Sequence, residues 1–183
     1  RVSLVGSEMC IRDRSKGELF ASLKAGINKN KIVFSGVGKT EEEIEYAIKK
    51  NILLINSESL SEVLKIEEIA KKENKLVNIG LRLNPDTDAK TLKQISTGKT
   101  ENKFGVDEKT FNKIINLMKK SKFIRIKCLS VHIGSQILNH KPYEKMLKVV
   151  DKIIDKTNHQ FEFIDLGGGM GISYDEKDKK LNY

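Results

Sequence analysis

At 183 residues, with 38% hydrophobic and 32% charged residues, the chain is sized and composed for one globular domain. No apolar stretch reaches the roughly 20 residues that a membrane span needs. A formal charge of +9 raises nucleic-acid binding, but the lysines are spread along helix faces, and beyond residue 14 the only arginines are Arg82 and Arg125. Without a basic cluster interleaved with aromatics, a solvated lysine-rich surface accounts for the charge, and neither nucleic acid nor membrane is an expected partner.

Residues 1–14, RVSLVGSEMCIRDR, show no period and lack the basic-then-apolar layout of a signal peptide. They resemble an adapter-derived translation found at the ends of assembled environmental sequences. The stretch is therefore expected to be foreign. The domain proper is expected to run over 15–183, with its true start outside this sequence.

From Ser15 the pattern is regular. GELFASLKA (17–25) predicts a short helix closed by Gly26, and KIVF (31–34) a strand ending at Ser35–Gly36. Thr40 and Glu43 form a capping-box signature for a helix that buries Ile44, Ala47 and Ile48. ILLI (52–55) is the second strand. Ser59 and Glu62 repeat the capping signature, with Val63, Leu64, Ile66 and Ile69 as the apolar side. LVNIGLRL (76–83) is the third strand, followed by a long polar loop, Thr87 to Gly105, of the length that usually carries function. Asp107 caps a helix with Phe111, Ile114, Ile115 and Met118 at helical spacing. The fourth strand spans 124–133. Pro142 opens a helix with Tyr143, Met146, Leu147, Val150, Ile153 and Ile154 inside, and Phe161–Leu166 is the fifth strand.

Apolar strands alternating with helices predict parallel strands, in a (β/α)8 barrel or a doubly wound sheet. Both put chemistry beyond the C-terminal strand ends. Those ends read Ser35–Gly36, Asn56–Ser57, Arg82–Asn84, His132–Ser135 and Gly167–Gly169. Five strands are too few to close such a barrel, so the barrel alternative implies an incomplete one.

FEFIDLGGGMGISY (161–174) ends an apolar strand in three consecutive glycines, which cost chain entropy and pack nothing. Bare peptide nitrogens aimed at an oxyanion, usually a phosphate, give a reason to keep them. His132 would be an ordinary core histidine if it stood alone. Its company of Gly134, Ser135 and the neighbouring triple glycine suits a planar phosphorylated ring instead. GVGKT (36–40) opens a helix after a strand as a phosphate-binding P-loop does, but the glycine required earlier is Val33. The 167–171 cluster likewise fails G-x-G-x-x-G, with Ile172 and Tyr174 in the third glycine's place. His140 and His159 read as surface residues, and no metal-ligand spacing is present. Cys10 and Cys128 are too few for a disulfide framework; Cys128 reads as a small buried hydrophobe in a reducing compartment.

SxGEL (15–19), KIVFSGVGKTEEEIEYAI, NxES at Asn56, LRLNPD (81–86), STGKTENKFG (96–105), VHIGSQ (131–136) and DLGGGMGISY (165–174) together resemble bacterial diaminopimelate decarboxylases. These are pyridoxal-phosphate enzymes of the alanine-racemase-like barrel class. The resemblance implies a (β/α)8 barrel, here incomplete, with a C-terminal β-domain absent from this sequence, a cytoplasmic homodimer, and conversion of meso-diaminopimelate to lysine and CO2. By position, His132 would stack on the pyridine ring, Ser135, Gly167, Gly168 and Gly169 would hold the phosphate, and Arg82 would face the cofactor. Glu18 would orient the Schiff-base lysine. That lysine belongs to a Tyr-Ala-x-Lys-Ala-Asn strand expected before Ser15 and not found, so no catalytic residue is assigned and the chain is expected to be inactive alone. Lys24 is not that lysine, since it falls on a helix. Sibling decarboxylases acting on ornithine, arginine or carboxynorspermidine remain the nearest alternative, and a P-loop-type phosphate binder using Gly36–Thr40 the alternative of another class.

Overall fold

The computed structural model describes residues 10–85 and 104–171. Strands β1 (Ile11–Asp13), β2 (Ile32–Ser35), β3 (Leu54–Ser57), β4 (Val77–Leu83), β5 (Ile124–Val131) and β6 (Phe163–Asp165) alternate with helices α1 (Lys16–Lys24), α2 (Glu41–Lys50), α3 (Leu60–Lys72), α4 (Glu108–Met118) and α5 (Lys141–Thr157). The strands form one sheet in the order of the chain, and every neighbouring pair is parallel. One more strand is present than the sequence predicts. It is Ile11–Asp13, inside the stretch set apart at the start, paired with Ile32–Phe34.

The sheet is curled into a partial barrel. In a flat sheet β1 and β6 would lie about 24 Å apart at the usual strand spacing. Instead Arg12 of β1 pairs with Asp165 of β6. The Asn56 amide of β3 likewise donates to Asp165 Oδ2 at 3.2 Å across two intervening strands. Side chains on the concave face therefore meet across the interior, while the convex face packs under the helices.

The elements form for local reasons. Ser15 with Glu18, and Thr40 with Glu43, make reciprocal capping boxes on α1 and α2. At α3 the expected box is half made. Ser59 Oγ accepts from Glu62 N at 3.1 Å, but the Glu62 carboxylate is drawn away to Lys39, Ser57 Oγ and the Glu58 peptide N–H. Asp107 caps α4 by accepting from Thr110 N at 2.8 Å. The buried stripe of these helices (Leu19, Ile44, Ala47, Val63, Ile66, Phe111, Ile114, Met146, Val150 and Ile153) meets Ile32, Phe34, Ile79, Leu81, Leu129 and Val131 of the sheet in one core. Leu64 and Leu147, expected inside, are 44% and 46% exposed because they lie off that stripe. Strand β3 begins two residues later than predicted and carries Asn56 and Ser57 into the interior, where polar partners wait for them.

His159 is half-buried rather than on the surface. Its Nε2 sits 2.9 Å from the Ile126 carbonyl and its ring meets Phe161 edge-on, fixing the turn before β6 to the middle of β5. Cys128 is buried as expected, and burial, with the Asp165 charge next, pushes its thiol up to about 12. It stays a packing residue. Among the described residues no helix is long and apolar enough to cross a membrane.

Candidate active site

The C-terminal strand ends open into a cleft of about 790 Å³ lined by His132, Ser135, Gly167, Gly168, Gly169 and Arg82, together with Glu58, Phe104, Ser130 and Ser35. Every residue that the sequence singled out as a cofactor contact lines this one cleft.

Its floor is a polar layer. Asp165, the last residue of β6, takes the Ser130 hydroxyl at 2.9 Å and the Asn56 amide on Oδ2, while Oδ1 takes the Gly167 N–H at 2.9 Å. Burial alone would raise the Asp165 carboxyl. The Arg12 guanidinium and the Gly167 N–H outweigh it and hold the group below the usual carboxylate range. Asp165 thus stays charged and anchors the start of the glycine turn.

That turn then runs beside His132. Strand β5 leaves the ladder after Val131, and the His132 ring faces Gly168, whose N–H donates to Nδ1 at 3.3 Å. Burial, with the Arg82 guanidinium next, lowers the imidazole's affinity for a proton. A neutral ring that accepts at Nδ1 carries its proton on Nε2. A Cβ on Gly169, where φ is +96°, would collide with the Gly134 carbonyl, and one on Gly167 would come within 2.7 Å of His132 Nδ1. At Gly168 nothing lies within 4 Å of such an atom, so its open side faces the cleft. The Tyr143 hydroxyl donates to the Gly168 carbonyl at 3.3 Å and pins the turn from α5. Of the glycine nitrogens expected to meet an oxyanion, those of Gly167 and Gly168 thus have acceptors within the chain.

The cleft also carries an ion pair. Arg82 donates to Glu58 Oε1 at 2.9 Å, while buried Arg82 Nε and Glu58 Oε2 find no hydrogen-bond partner among the described residues. A concave wall with a bare glycine, a neutral imidazole, a hydroxyl and a guanidinium fits a planar ring with an anionic tail.

The other glycine-rich turn behaves differently, and the P-loop alternative is corrected. The Lys39 side chain is 1% exposed, and its Nζ donates to the carbonyls of Gly36 (2.6 Å) and Asn56 (2.7 Å) and to Glu62 Oε1 (2.7 Å). All three ammonium protons are committed inside the protein, which leaves none for a nucleotide phosphate. Glu18, expected near a reactive lysine, uses its carboxylate on the Ser15 and Arg14 peptide nitrogens of the α1 cap, and Lys24 is exposed on that helix. Glu58 and Phe104 were assigned no role from the sequence, although both lie in stretches that carried the resemblance. The loop segment holding STG (96–98) and Asn102 lies outside the described residues, as do Ile172–Tyr174.

The fold and this cleft define a cofactor-binding barrel domain, and the family profile "Pyridoxal-dependent decarboxylase, pyridoxal binding domain" matches residues 10–183. The chain belongs to that family. Among individual relatives, it is 45% identical over 168 residues to a diaminopimelate decarboxylase of Helicobacter pylori and 41% identical over 167 residues to one of Campylobacter jejuni. Each alignment covers 90% of this chain, and the chain spans 41% and 42% of those relatives' lengths. The crystal structure of diaminopimelate decarboxylase from Helicobacter pylori complexed with L-lysine superposes with a TM-score of 0.86 at 43% identity, covering 93% of this chain and 44% of that one.

Proposed function

We propose that this chain is the cofactor-binding part of an enzyme that decarboxylates meso-2,6-diaminopimelate to L-lysine and CO2. The observation that carries the reading is the gathering of His132, Ser135, Gly167–Gly169 and Arg82 in one cleft, in a chain more than 40% identical to diaminopimelate decarboxylases.

In this reading the His132 ring lies against the face of the pyridine, kept neutral by burial and by Arg82. Ser135 and the Gly167–Gly169 turn receive the phosphate, with the open side of Gly168 leaving room for it, and Asp165 and Tyr143 hold the turn in shape. Arg82, held by Glu58, brings its guanidinium to the same cleft. Bound pyridoxal phosphate supplies an electron sink for the carbon that loses CO2. The chain's share is to orient the ring and to set the charge around it. The lysine that anchors the cofactor, and a C-terminal β-domain following the 15–183 barrel part, are assigned to portions of a longer protein. That protein is proposed to act as a cytoplasmic homodimer.

The test is product analysis. The complete protein, given pyridoxal phosphate and meso-diaminopimelate, is expected to release CO2 and lysine in equal amounts. Turnover of ornithine, arginine or carboxynorspermidine in preference to diaminopimelate would overturn the substrate assignment. The chain alone is expected to retain no cofactor chromophore after borohydride treatment.

A further inference from the structure

Arg82 does not hold its position by itself. On one side Glu58, the residue after β3, presents a carboxylate only 8% exposed, and its Oε1 accepts from Arg82 Nη1 at 2.9 Å. The Glu58 peptide N–H is itself fixed to Glu62 Oε2 at 2.7 Å, and Glu62 in turn receives the buried Lys39 ammonium. On the other side the Phe104 ring lies 5.6 Å from the guanidinium carbon. Phe104 reaches it because the next residues dock on the end of β4: Val106 N donates to the Arg82 carbonyl at 2.9 Å, and Asn84 N donates to the Val106 carbonyl at 2.8 Å. Gly105 sits between at φ +92°, where a Cβ would come within 2.8 Å of the Arg82 carbonyl oxygen.

A buried carboxylate with one oxygen partnered among the described residues, beside a guanidinium whose Nε has no partner among them, is a poor way to stabilise a fold; an apolar pair would cost less. Such an arrangement makes sense where a cation has to be held at one place in a cleft wall. We propose that Glu58 is a positioning residue that acts through Arg82, with Phe104 as the second side of the clamp, and that it sets how well this cleft holds an anionic aromatic ligand. The proposal rests on the reading of Arg82 as a cofactor-facing residue.

The experiment is a double-mutant cycle in the complete protein, read by fluorescence titration with pyridoxal phosphate, by steady-state KM and kcat, and by thermal unfolding of the cofactor-free protein. Arg82→Gln and Glu58→Ala are each expected to weaken pyridoxal phosphate binding roughly tenfold or more, as loss of a charge-assisted hydrogen bond does. The double variant is expected to be no weaker than Arg82→Gln alone, because Glu58 has nothing to position once the guanidinium is gone. Glu58→Gln, which keeps an acceptor, is expected to recover part of the loss, and Phe104→Leu to cost about two- to fivefold. If Arg82→Gln weakens binding while Glu58→Ala binds as wild type does, or if the two losses multiply, Glu58 does not act through Arg82. An Arg82→Gln protein with unchanged affinity overturns the underlying reading instead. Should Glu58→Ala fail to fold, the Glu58→Gln and Phe104→Leu arms decide, and wild-type affinity in both refutes the clamp.

Discussion

Two glycine-rich turns leave the C-terminal ends of parallel strands in this molecule, and they do opposite work. Gly36–Val37–Gly38–Lys39 follows β2, and Gly167–Gly168–Gly169 follows β6. The first looks in sequence like the stronger phosphate site, since it carries a lysine and opens a well-capped helix. Yet that lysine is turned into the protein, tying β2 to β3 and α3 through two carbonyls and Glu62. The second turn has no cation of its own. It has a bare face at Gly168, a neighbouring imidazole, and the Arg82–Glu58 pair in the same cleft. A cation can serve a ligand only if the fold has not already used all its donors. Lys39 spends three on the protein, whereas among the described residues Arg82 spends one nitrogen on Glu58. The local motif does not reveal which is the case.

The largest expected effect breaks the first turn. Lys39→Met should lower stability by about 3–5 kcal/mol, since it strands a mostly buried Glu62 carboxylate without its cation. Denaturant unfolding measures this. In the surviving folded fraction any loss of pyridoxal phosphate affinity should be smaller than that of Arg82→Gln, because Lys39 bears on Arg82 only indirectly, through Glu62 and Glu58. A stable Lys39→Met protein that has lost phosphate binding would reverse the comparison between the turns.

Gly168→Leu sharpens the other side. Its backbone is not left-handed and its Cβ position is empty, so stability should stay within about 0.5 kcal/mol of wild type. The added side chain would project into the cleft, and pyridoxal phosphate affinity should fall roughly 10–200-fold, the range for misfit groups in a binding pocket. Equal affinity in the two proteins would show that the ligand does not use this turn.

The smallest effect is on pH dependence. The folded protein holds His132 below its ordinary titration point of about 6.5, so well above that pH the imidazole is neutral whether folded or unfolded and contributes no pH dependence. As pH falls below that value, the unfolded chain takes up a proton that the folded one resists, and stability is lost until the folded group titrates too. Protonation of Nδ1 also removes the acceptor for the Gly168 N–H. Between pH 7.5 and 5.5 wild type should therefore lose more stability than His132→Asn. Equal losses would mean that His132 does not titrate as its surroundings imply.

Much of the architecture was legible in advance for physical reasons. Apolar runs too short for helices, closed by polar residues, glycine or proline, mark β2 to β6, and Thr40, Ser59 and Asp107 mark helix starts through their side-chain oxygens. His132, Ser135, Arg82 and the triple glycine could be named because strand-end polarity and family motifs coincide at them. Leu64 and Leu147 went astray because a helical stripe is narrower than the set of residues roughly in phase with it. Strand β3 was set too early because a polar Asn56–Ser57 pair looks like a strand's end until the interior supplies partners. Glu58 left no local signal, since its meaning depends on Arg82, 24 positions away.

Periodicity, capping and residue type therefore determined the order of strands and helices, their parallel arrangement, and the rim on which chemistry would sit. These depend on neighbours within a few residues. The curl that sets Arg12 and Asn56 against Asp165, the burial of Lys39, and the clamp on Arg82 were decided by tertiary structure alone. Each depends on which charges meet across strands that are distant in sequence, and desolvation makes that meeting decisive for what the group can do.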